Sequence, residues 1–468
     1  MTQGEALAIL KTGANVFLTG EPGSGKTYTI NRYVAWLRER GIEPSITAST
    51  GIAATHIGGH TVHSWSGIGV KRDLSPYELD TIAQNKRVYG RVRDARVLVI
   101  DEVSMLSAQT LAMVDAVCRE VRQDRRPFGG LQVVLVGDFF QLPPVERRTD
   151  EEEVQERLME QRSTGFAFTA PAWGVLNPLV CYLSEQHRQE DAAFLEFLGA
   201  VRRNAVREQH RALLRTRYAR TARPGTTQLY SHNVDVDLIN KAELGKLPGK
   251  VAEFQMGGRG AEKLVATLKK GCLSPETLQL KVGARVMFTK NDTVRHGFVN
   301  GTLGTVERFD KESGHPIVKT NAGRHLLAEP MEWSMSEGGK ILAQITQTPL
   351  RLAWAMTVHK SQGMSLDAAH MDLSEAFEYG QGYVALSRVR TLGGLSLAGL
   401  NERALKVHPE ILAKDAEFRA QSAQARGAFA KLPAQEFAAM HKNFVRVCGG
   451  KEPKKVGGTG LEPVTFSV

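Results

Sequence analysis

The sequence predicts an α/β protein built on mostly parallel sheets, and three observations carry that expectation. Residues 16–18, 97–100 and 131–136 are almost wholly apolar, as strands covered on both faces are. Each runs directly into a turn that carries Gly or carboxylate residues: GEPGSGKT, DEVSM and GDFFQ. The first turn opens a helical pattern in which Tyr28, Ile30, Tyr33, Val34 and Leu37 recur near helical spacing. Parallel strands need such crossovers, and their sites lie at the carboxyl ends of the strands.

A chain of 468 residues exceeds what one hydrophobic core supports, so several domains are expected. With 42% hydrophobic and 24% charged residues it is globular in composition, and it holds no apolar run approaching the roughly 20 residues that cross a bilayer. The start, MTQGEALAILKTG, has neither the pattern of a secretory signal nor that of an Arg-rich transit peptide, so a cytoplasmic location is expected. Cys118, Cys181, Cys272 and Cys448 are scattered without metal-ligand spacing, which argues against a disulfide framework and a zinc site. Lys plus Arg number 60 against 50 Asp plus Glu; the resulting +10 favours a polyanionic partner without identifying one.

The loop of Gly20, Glu21, Pro22, Gly23, Ser24, Gly25, Lys26 and Thr27 matches G-x-x-x-x-G-K-[ST] in full. Its glycines let backbone N–H groups face phosphate oxygens, Lys26 brings a compact charge to the terminal phosphates, and the Thr27 hydroxyl can ligate magnesium. ATP with Mg2+ is the cofactor expected here. At the end of the second strand Asp101 and Glu102 stand side by side. Alone, such a pair is commonly a solvated turn. After a buried strand downstream of a phosphate loop, it suits Mg2+ retention by Asp101 and activation of the attacking water by Glu102. The third strand delivers Gly137, Asp138 and Gln141 to its exit turn. A kinase or a GTPase shares all of this, so discrimination falls to the rest of the chain.

Five blocks supply it in a fixed order: TASTGIAATHIGGHTVHSWSGIG at residues 47–69, GDFFQLPPV at 137–145, EQHRQ at 185–189, TVHKSQGMSL at 357–366 and GQGYVALSRVR at 380–390. Together they resemble the PIF-type (petite integration frequency) DNA helicases of superfamily 1, subgroup B, relatives of the RecD-like helicases. TVHKSQG or VALSR alone is a weak signal; the ordered set, spanning residues 3 to about 400, is specific.

The resemblance implies an ATP-dependent DNA helicase with two RecA-like motor domains that clamp ATP between them while single-stranded DNA crosses both. It also implies movement 5′ to 3′, single-stranded and forked DNA as partners, and roles in replication, repair, recombination or telomere maintenance. A monomer is expected, nucleoid-associated if the source is bacterial. Residue by residue, Gln3 resembles the upstream glutamine that reads the adenine edge, Gln141 the sensor near the terminal phosphate, and Arg188 and Arg388 the two arginines supplied across the cleft. An arginine delivered from a second domain makes hydrolysis conditional on closure. His63 and Ser64 match a strand-contacting loop of the first motor domain, and Thr357, His359 and Lys360 the equivalent loop of the second. Trp65 beside them is open to base stacking, although a tryptophan is more often core.

On this reading residues 1–150 form the first motor domain, with a basic, turn-prone insertion at about 71–96 in the place of the family's small wedge domain. Residues 151–403 form the second, interrupted at about 240–345 by short alternating strands with Gly and Asn turns, read as an inserted small β-barrel. A second basic stretch, residues 201–223, carries eight arginines against one glutamate and reads as a solvated helix face anchored by Leu213 and Leu214. Residues 404–468 read as a helical extension ending in a disordered tail. Two rivals stay open at this point: a RecD-like subunit of a larger nuclease complex, and a single-stranded-DNA-binding switch that changes grip without unwinding.

Overall fold

The computed structural model describes residues 1–50, 53–54, 59–69, 71–144, 165–185, 191–222, 226–231, 236–292, 297–298, 300–337, 340–358, 361 and 364–452. The three apolar segments become neighbouring members of one sheet. Its strands are β1 (Val16–Gly20), β2 (Ser45–Ala48), β3 (His60–Thr61), β4 (Val97–Asp101), β5 (Gln132–Val136) and β6 (Leu179–Leu183), in the order β3-β2-β4-β5-β1-β6. Every neighbouring pair is parallel. Parallel register brings the carboxyl ends of β4, β5 and β1 side by side, so the three turns that follow them meet along one edge. Both β1 and β5 are buried throughout, which is why neither alternates in sequence. The expected boundary at residue 150 needs correction, because β6 pairs with β1 from Leu179 to Leu183 and so covers an edge that would otherwise stay unpaired.

A second body carries its own parallel sheet. After β7 (Thr227–Tyr230) the chain leaves it and forms β8 (Ala252–Gln255), β9 (Gly257–Gly260), β10 (Thr277–Leu280), β11 (Arg285–Phe288), β12 (Leu303–Phe309), β13 (Pro316–Thr320), β14 (His325–Leu327), β15 (Met331–Glu337), β16 (Lys340–Gln347) and β17 (Leu350–Leu352). It returns as β18 (Ala355–Thr357), β19 (Ala369–Leu373) and β20 (Leu395–Leu400), giving the order β18-β7-β19-β20. Since β18 pairs directly with β7, everything between them is an insertion. The Asn240 side chain pins the return: its Oδ1 accepts from the Trp354 and Ala355 N–H groups, and its Nδ2 donates to the Ala355 carbonyl. The inserted strands form three antiparallel ladders, β14-β13-β12-β11-β17, β15-β16-β9 and β10-β8. They enclose two apolar clusters, one around Val286, Phe288, Val306 and Leu350, the other around Trp333, Met335 and Ile345.

The insertion at 71–96 is more ordered than its turn-prone composition implies. It folds as two helices, Pro76–Gln84 and Lys86–Asp94. Ser75 and Glu78 form a capping box on the first, and the Asn85 side chain caps the second. Few apolar residues are needed, because Ile82, Val88 and Val92 all reach the main core. Arg122 ties the end of the second helix down, donating to the Val92, Arg93 and Ala95 carbonyls and to Gly129 O.

The C-terminal extension is helical, as expected, over Pro409–Ala430 and Ala434–Val447, and both helices pack back onto the first body. Phe418 lies 5.0 Å from the Phe17 ring, 6.1 Å from Phe139 and 6.3 Å from Trp173. Burying a side chain of that size contributes about 2–3 kcal/mol. Phe444 and Val445 join the cluster of Leu7, Leu10, Val16 and Leu18, and the His441 ring donates to Ala8 O at 2.9 Å. The tail read as disordered, residues 449–468, begins in order: the Gly450 N–H donates to Val445 O and the Lys451 N–H to Arg40 O, both at 2.9 Å, and residues from 453 lie outside the described residues. Among the described residues no helix is long and apolar enough to cross a membrane.

Candidate nucleotide site and nucleic-acid track

The phosphate loop leaves β1 at Gly20 and enters the helix Lys26–Arg38. Gly25, with φ 85°, caps that helix in the left-handed region, and a β-carbon there would collide with the Gln3 amide. The close approach is a bonded one: Gln3 Nε2 donates to Ser24 O at 3.2 Å. Lys26 folds over the loop, its Nζ donating to Gly20 O at 2.8 Å and to Glu21 O at 3.1 Å. The Ser24 hydroxyl is buried with no hydrogen-bond partner among the described residues, while Thr27 is exposed on the first helical turn. A buried hydroxyl without a hydrogen-bond partner among the described residues, beside a lysine folded over the loop carbonyls, is a donor set that suits a polyphosphate.

Asp101 ends β4, and Glu102 follows in the left-handed region at φ 52°, unusual for a residue with a side chain and worth about 1 kcal/mol of strain. The turn is held by Asp101 Oδ1, which accepts from the Glu102 N–H at 2.8 Å, and by Ser49 Oγ, which donates to Glu102 O at 2.8 Å. Withdrawal from water and the adjacent Glu102 carboxylate push Asp101 up to about 7, against the pull of Lys26. Two carboxylates so placed, and the exposed Thr27 hydroxyl on the first turn of the helix after the loop, are oxygen donors of the kind that suits a hard cation such as Mg2+. The four free cysteines play no part, and no cluster of three or more His, Cys, Asp or Glu side chains could hold a metal among the described residues.

Gln141 is buried on the turn after β5, its N–H donating to Asp138 O at 2.9 Å. Here the second body meets the first. A β-carbon on Gly380, whose φ is 79°, would lie 2.6 Å from Phe140 O and 3.0 Å from Gln141 O, so only glycine allows the two backbones this close. From Gly380 the helix Gln381–Leu386 leads to Arg388. That arginine does not reach across an open cleft. It is 1% exposed, its Nε donating to Val384 O at 2.8 Å, Nη1 to Met364 O at 3.3 Å and Nη2 to Ser387 Oγ at 3.0 Å. Burial lowers its pKa to about 10, and the carboxylates of Glu102 and Asp138, on the other body, pull the other way. Arg188 lies outside the described residues.

On the proposed DNA track, His63 and Ser64 are half-buried on the helix Val62–Ser66, and the Ser64 carbonyl accepts from Arg91 of the inserted helix pair at 2.6 Å. Trp65 is 2% exposed in the main core, so base stacking is ruled out for it in this arrangement. Thr357 is buried at the end of β18 and does not present its hydroxyl at the surface. His359 and Lys360 lie outside the described residues. Two residues of the site were not foreseen: Gly380 as the point of contact, and Arg202, which pairs with Asp138 at 2.8 Å.

A phosphate loop, an acid pair and a glutamine turn on one parallel sheet, faced by a second parallel-sheet body, define a P-loop protein with two RecA-like motor domains. The family model described as PIF1-like helicase matches residues 5–210, and that of the DNA helicase Pif1 2B domain matches residues 263–309, within the inserted ladders. The ATP-dependent DNA helicase Pif1 of Psychrobacter sp. (strain PRwf-1) is 42% identical over 508 residues, covering 96% of this chain and 75% of that protein. The ATP-dependent DNA helicase PIF1 of Homo sapiens is 38% identical over 409 residues, covering 86% of this chain and 61%, less than two thirds, of the human protein. Pif1 from Bacteroides sp. in complex with ADP-AlF4 superposes with a TM-score of 0.76 at 29% identity, covering 90% of this chain and 96% of that one. The TM-score is 0.75 for the unliganded Bacteroides protein and 0.60 for Bacteroides Pif1 bound to single-stranded DNA. The chain belongs to the PIF1-like helicase family.

Proposed function

We propose that this chain, an ATP-dependent DNA helicase of that family, uses Mg-ATP hydrolysis to move 5′ to 3′ along single-stranded DNA and to unwind the duplex it meets, forked DNA included. The observation that carries the reading is the meeting of the Gln141 turn with the Gly380–Arg388 segment of the second body. Hydrolysis at such a junction is sensitive to how the two bodies are arranged, and DNA that contacts both bodies controls that arrangement. Mg-ATP supplies the phosphoanhydride bond; the chain supplies the rest. Lys26 and the loop N–H groups hold the phosphates, and Gln3 faces the base. Thr27 and Asp101 hold the metal, Glu102 orients and deprotonates the water, and Gln141, Arg188 and Arg388 answer the charge that develops on the transferred phosphoryl group. His63, Ser64, His359 and Lys360 line the strand.

The relatives support this reading: the Bacteroides structures bear ADP-AlF4 and single-stranded DNA. The test is strand displacement with Mg-ATP on duplexes bearing a 5′ or a 3′ single-stranded tail. Displacement of the 5′-tailed duplex alone is expected. Displacement of the 3′-tailed duplex alone would reverse the polarity, and ATP turnover without displacement of either would leave a DNA-binding switch in place of a motor.

A further inference from the structure

The stretch at 201–223 is not uniformly solvated. Its first arginine, Arg202, ends the helix Ala192–Arg202, and with Phe194 and Leu198 it occupies every fourth position of the buried face. It is 2% exposed, and Asp138, its partner, is fully buried. Arg202 Nη1 meets Asp138 Oδ2 at 2.8 Å and donates to the Tyr383 hydroxyl at 3.1 Å, while Nη2 donates to the Tyr182 hydroxyl at 2.8 Å. The Phe140 ring lies 3.9 Å from the guanidinium carbon. The C-terminal helix Pro409–Ala430 closes the cluster from behind. Tyr182 donates to Asp415 Oδ1 at 2.9 Å and accepts from Arg419 Nη2 at 2.7 Å, and that same Nη2 stands 3.9 Å from Glu21 of the phosphate loop.

We propose that Arg202 is a positioning residue for hydrolysis, one planar cation that sets the Gln141 turn against the helix leading to Arg388 and against the C-terminal helix. The inference rests on the ATP-driven reading above and adds the residue that couples its parts. Asp138 is committed on both oxygens: Oδ1 accepts from the Phe140 N–H at 3.2 Å and Oδ2 takes Arg202. Its carbonyl in turn holds the Gln141 N–H. A shift of the guanidinium therefore reaches Gln141 through a single residue. Tyr383 lies five positions before Arg388 on the second body, so the same cation reaches both sides of the junction. Only a rigid fork does this; a lysine ammonium is a point charge and cannot meet Asp138, Tyr383 and Tyr182 with the same directions. A buried pair of this kind moves as a unit, because separating its charges in a low-dielectric site is unfavourable.

The test compares Arg202→Lys, Asp138→Asn, their double variant and Tyr383→Phe, in the full chain, by thermal melting and by steady-state ATPase with and without single-stranded DNA. Arg202→Lys is expected to lower DNA-stimulated kcat about tenfold or more, and with it the ratio of stimulated to basal turnover, while KM for ATP moves less than about threefold; a general loss of folded protein lowers both turnovers alike and leaves that ratio unchanged. Losses in the double variant are expected to be clearly less than additive. Tyr383→Phe removes one hydroxyl and leaves the Asp138–Arg202 pair intact; kcat should fall about threefold with KM for ATP unchanged, beside a small drop in melting temperature from the lost buried hydrogen bond. Stimulated turnover within about twofold of wild type in folded Arg202→Lys overturns the proposal, as do fully additive losses. Should Arg202→Lys fail to fold, Tyr383→Phe decides, and wild-type kcat in that variant overturns the proposal. Wild-type protein whose turnover ignores single-stranded DNA refutes the motor reading itself, and the positioning role with it.

Discussion

Arg388→Gln separates the charge of this arginine from its hydrogen bonds. The guanidinium donates to two backbone carbonyls, Val384 O at 2.8 Å and Met364 O at 3.3 Å, and to Ser387 Oγ at 3.0 Å. A glutamine amide has two donors, so about one acceptor is orphaned, at a penalty of about 1–3 kcal/mol. The substitution also removes a buried charge whose desolvation holds the pKa down to about 10. Relief of that desolvation is of similar size, so the two effects offset and stability should change by no more than about 2 kcal/mol. Catalysis has no such offset. The charge that balances Glu102 and the developing phosphoryl negative charge is gone, and DNA-stimulated turnover should fall by about 10³. ATP affinity should stay within about tenfold, because ground-state binding belongs to Lys26 and the loop. The assay is steady-state ATPase with and without single-stranded DNA, beside nucleotide binding by fluorescence. A variant that keeps a large DNA stimulation would make Arg388 a purely structural arginine and remove the interdomain mechanism.

Glu102→Gln keeps the shape of the turn and removes the base, so nucleotide binding should persist while turnover drops by about 10² or more, read by single-turnover hydrolysis; near-normal turnover would assign the base elsewhere. Gly380→Ala places a methyl 2.6 Å from Phe140 O at a φ of 79°, so the two bodies must part locally. A loss of about 1–3 kcal/mol in stability and about tenfold in DNA-stimulated turnover is expected, by denaturant titration and ATPase; a neutral result would mean that the Gln141 turn tolerates displacement. His63, His370, His408 and His441 all have pKa values lowered by burial. Protonation therefore favours the unfolded chain: the contribution is fully present above the ordinary value of about 6.5 and is lost as pH falls below it toward the lowered values. Thermal melts at pH 7.5 and 5.5 should show the lower stability at the acid end, and equal stability would contradict the burial of these rings.

The parts of the site that the sequence exposes are those where chemistry demands fixed residues at fixed spacing. The Gly20–Thr27 loop, the Asp101–Glu102 pair and the Gln141 turn were legible because each follows a buried strand, and buried parallel strands lack alternation. The insertion between β7 and β18 was legible from order alone, since its strands precede TVHKSQG. What escaped depends on contacts between residues far apart in the chain. Arg202 and Asp138 are 64 positions apart, and charge count hid the pair: a run of eight arginines looks like a solvated face unless one of them is seen to share a stripe with Phe194 and Leu198. Trp65 was read as open to stacking although a tryptophan is more often core, and its neighbours place it in the core. The C-terminal helices carry no motif because their role is packing, with Phe418 and Phe444 as anchors.

The arrangement of the two bodies bears on why DNA should accelerate hydrolysis. The Bacteroides relative matches this chain with a TM-score of 0.75 when unliganded and 0.60 when bound to single-stranded DNA, at 29% and 30% identity and 89% and 91% coverage of this chain. Identity and coverage are nearly the same, which leaves the placement of parts as the source of the difference; the arrangement described here stands nearer to the unliganded and ADP-AlF4 forms than to the one bound to single-stranded DNA. Two local features agree with it. Thr357 is withdrawn from the surface, and Arg388 spends its donors on Val384, Met364 and Ser387 of its own body. For Arg388 to answer charge on the phosphoryl group, those three hydrogen bonds must be exchanged for new ones, each worth about 1 kcal/mol net. ATP alone meets that barrier only with the energy of its own contacts. A DNA strand gripped by both bodies adds contacts that exist only in the closed arrangement and so shifts the population toward it. On this reading DNA stimulation measures the work of freeing Arg388 from its own body.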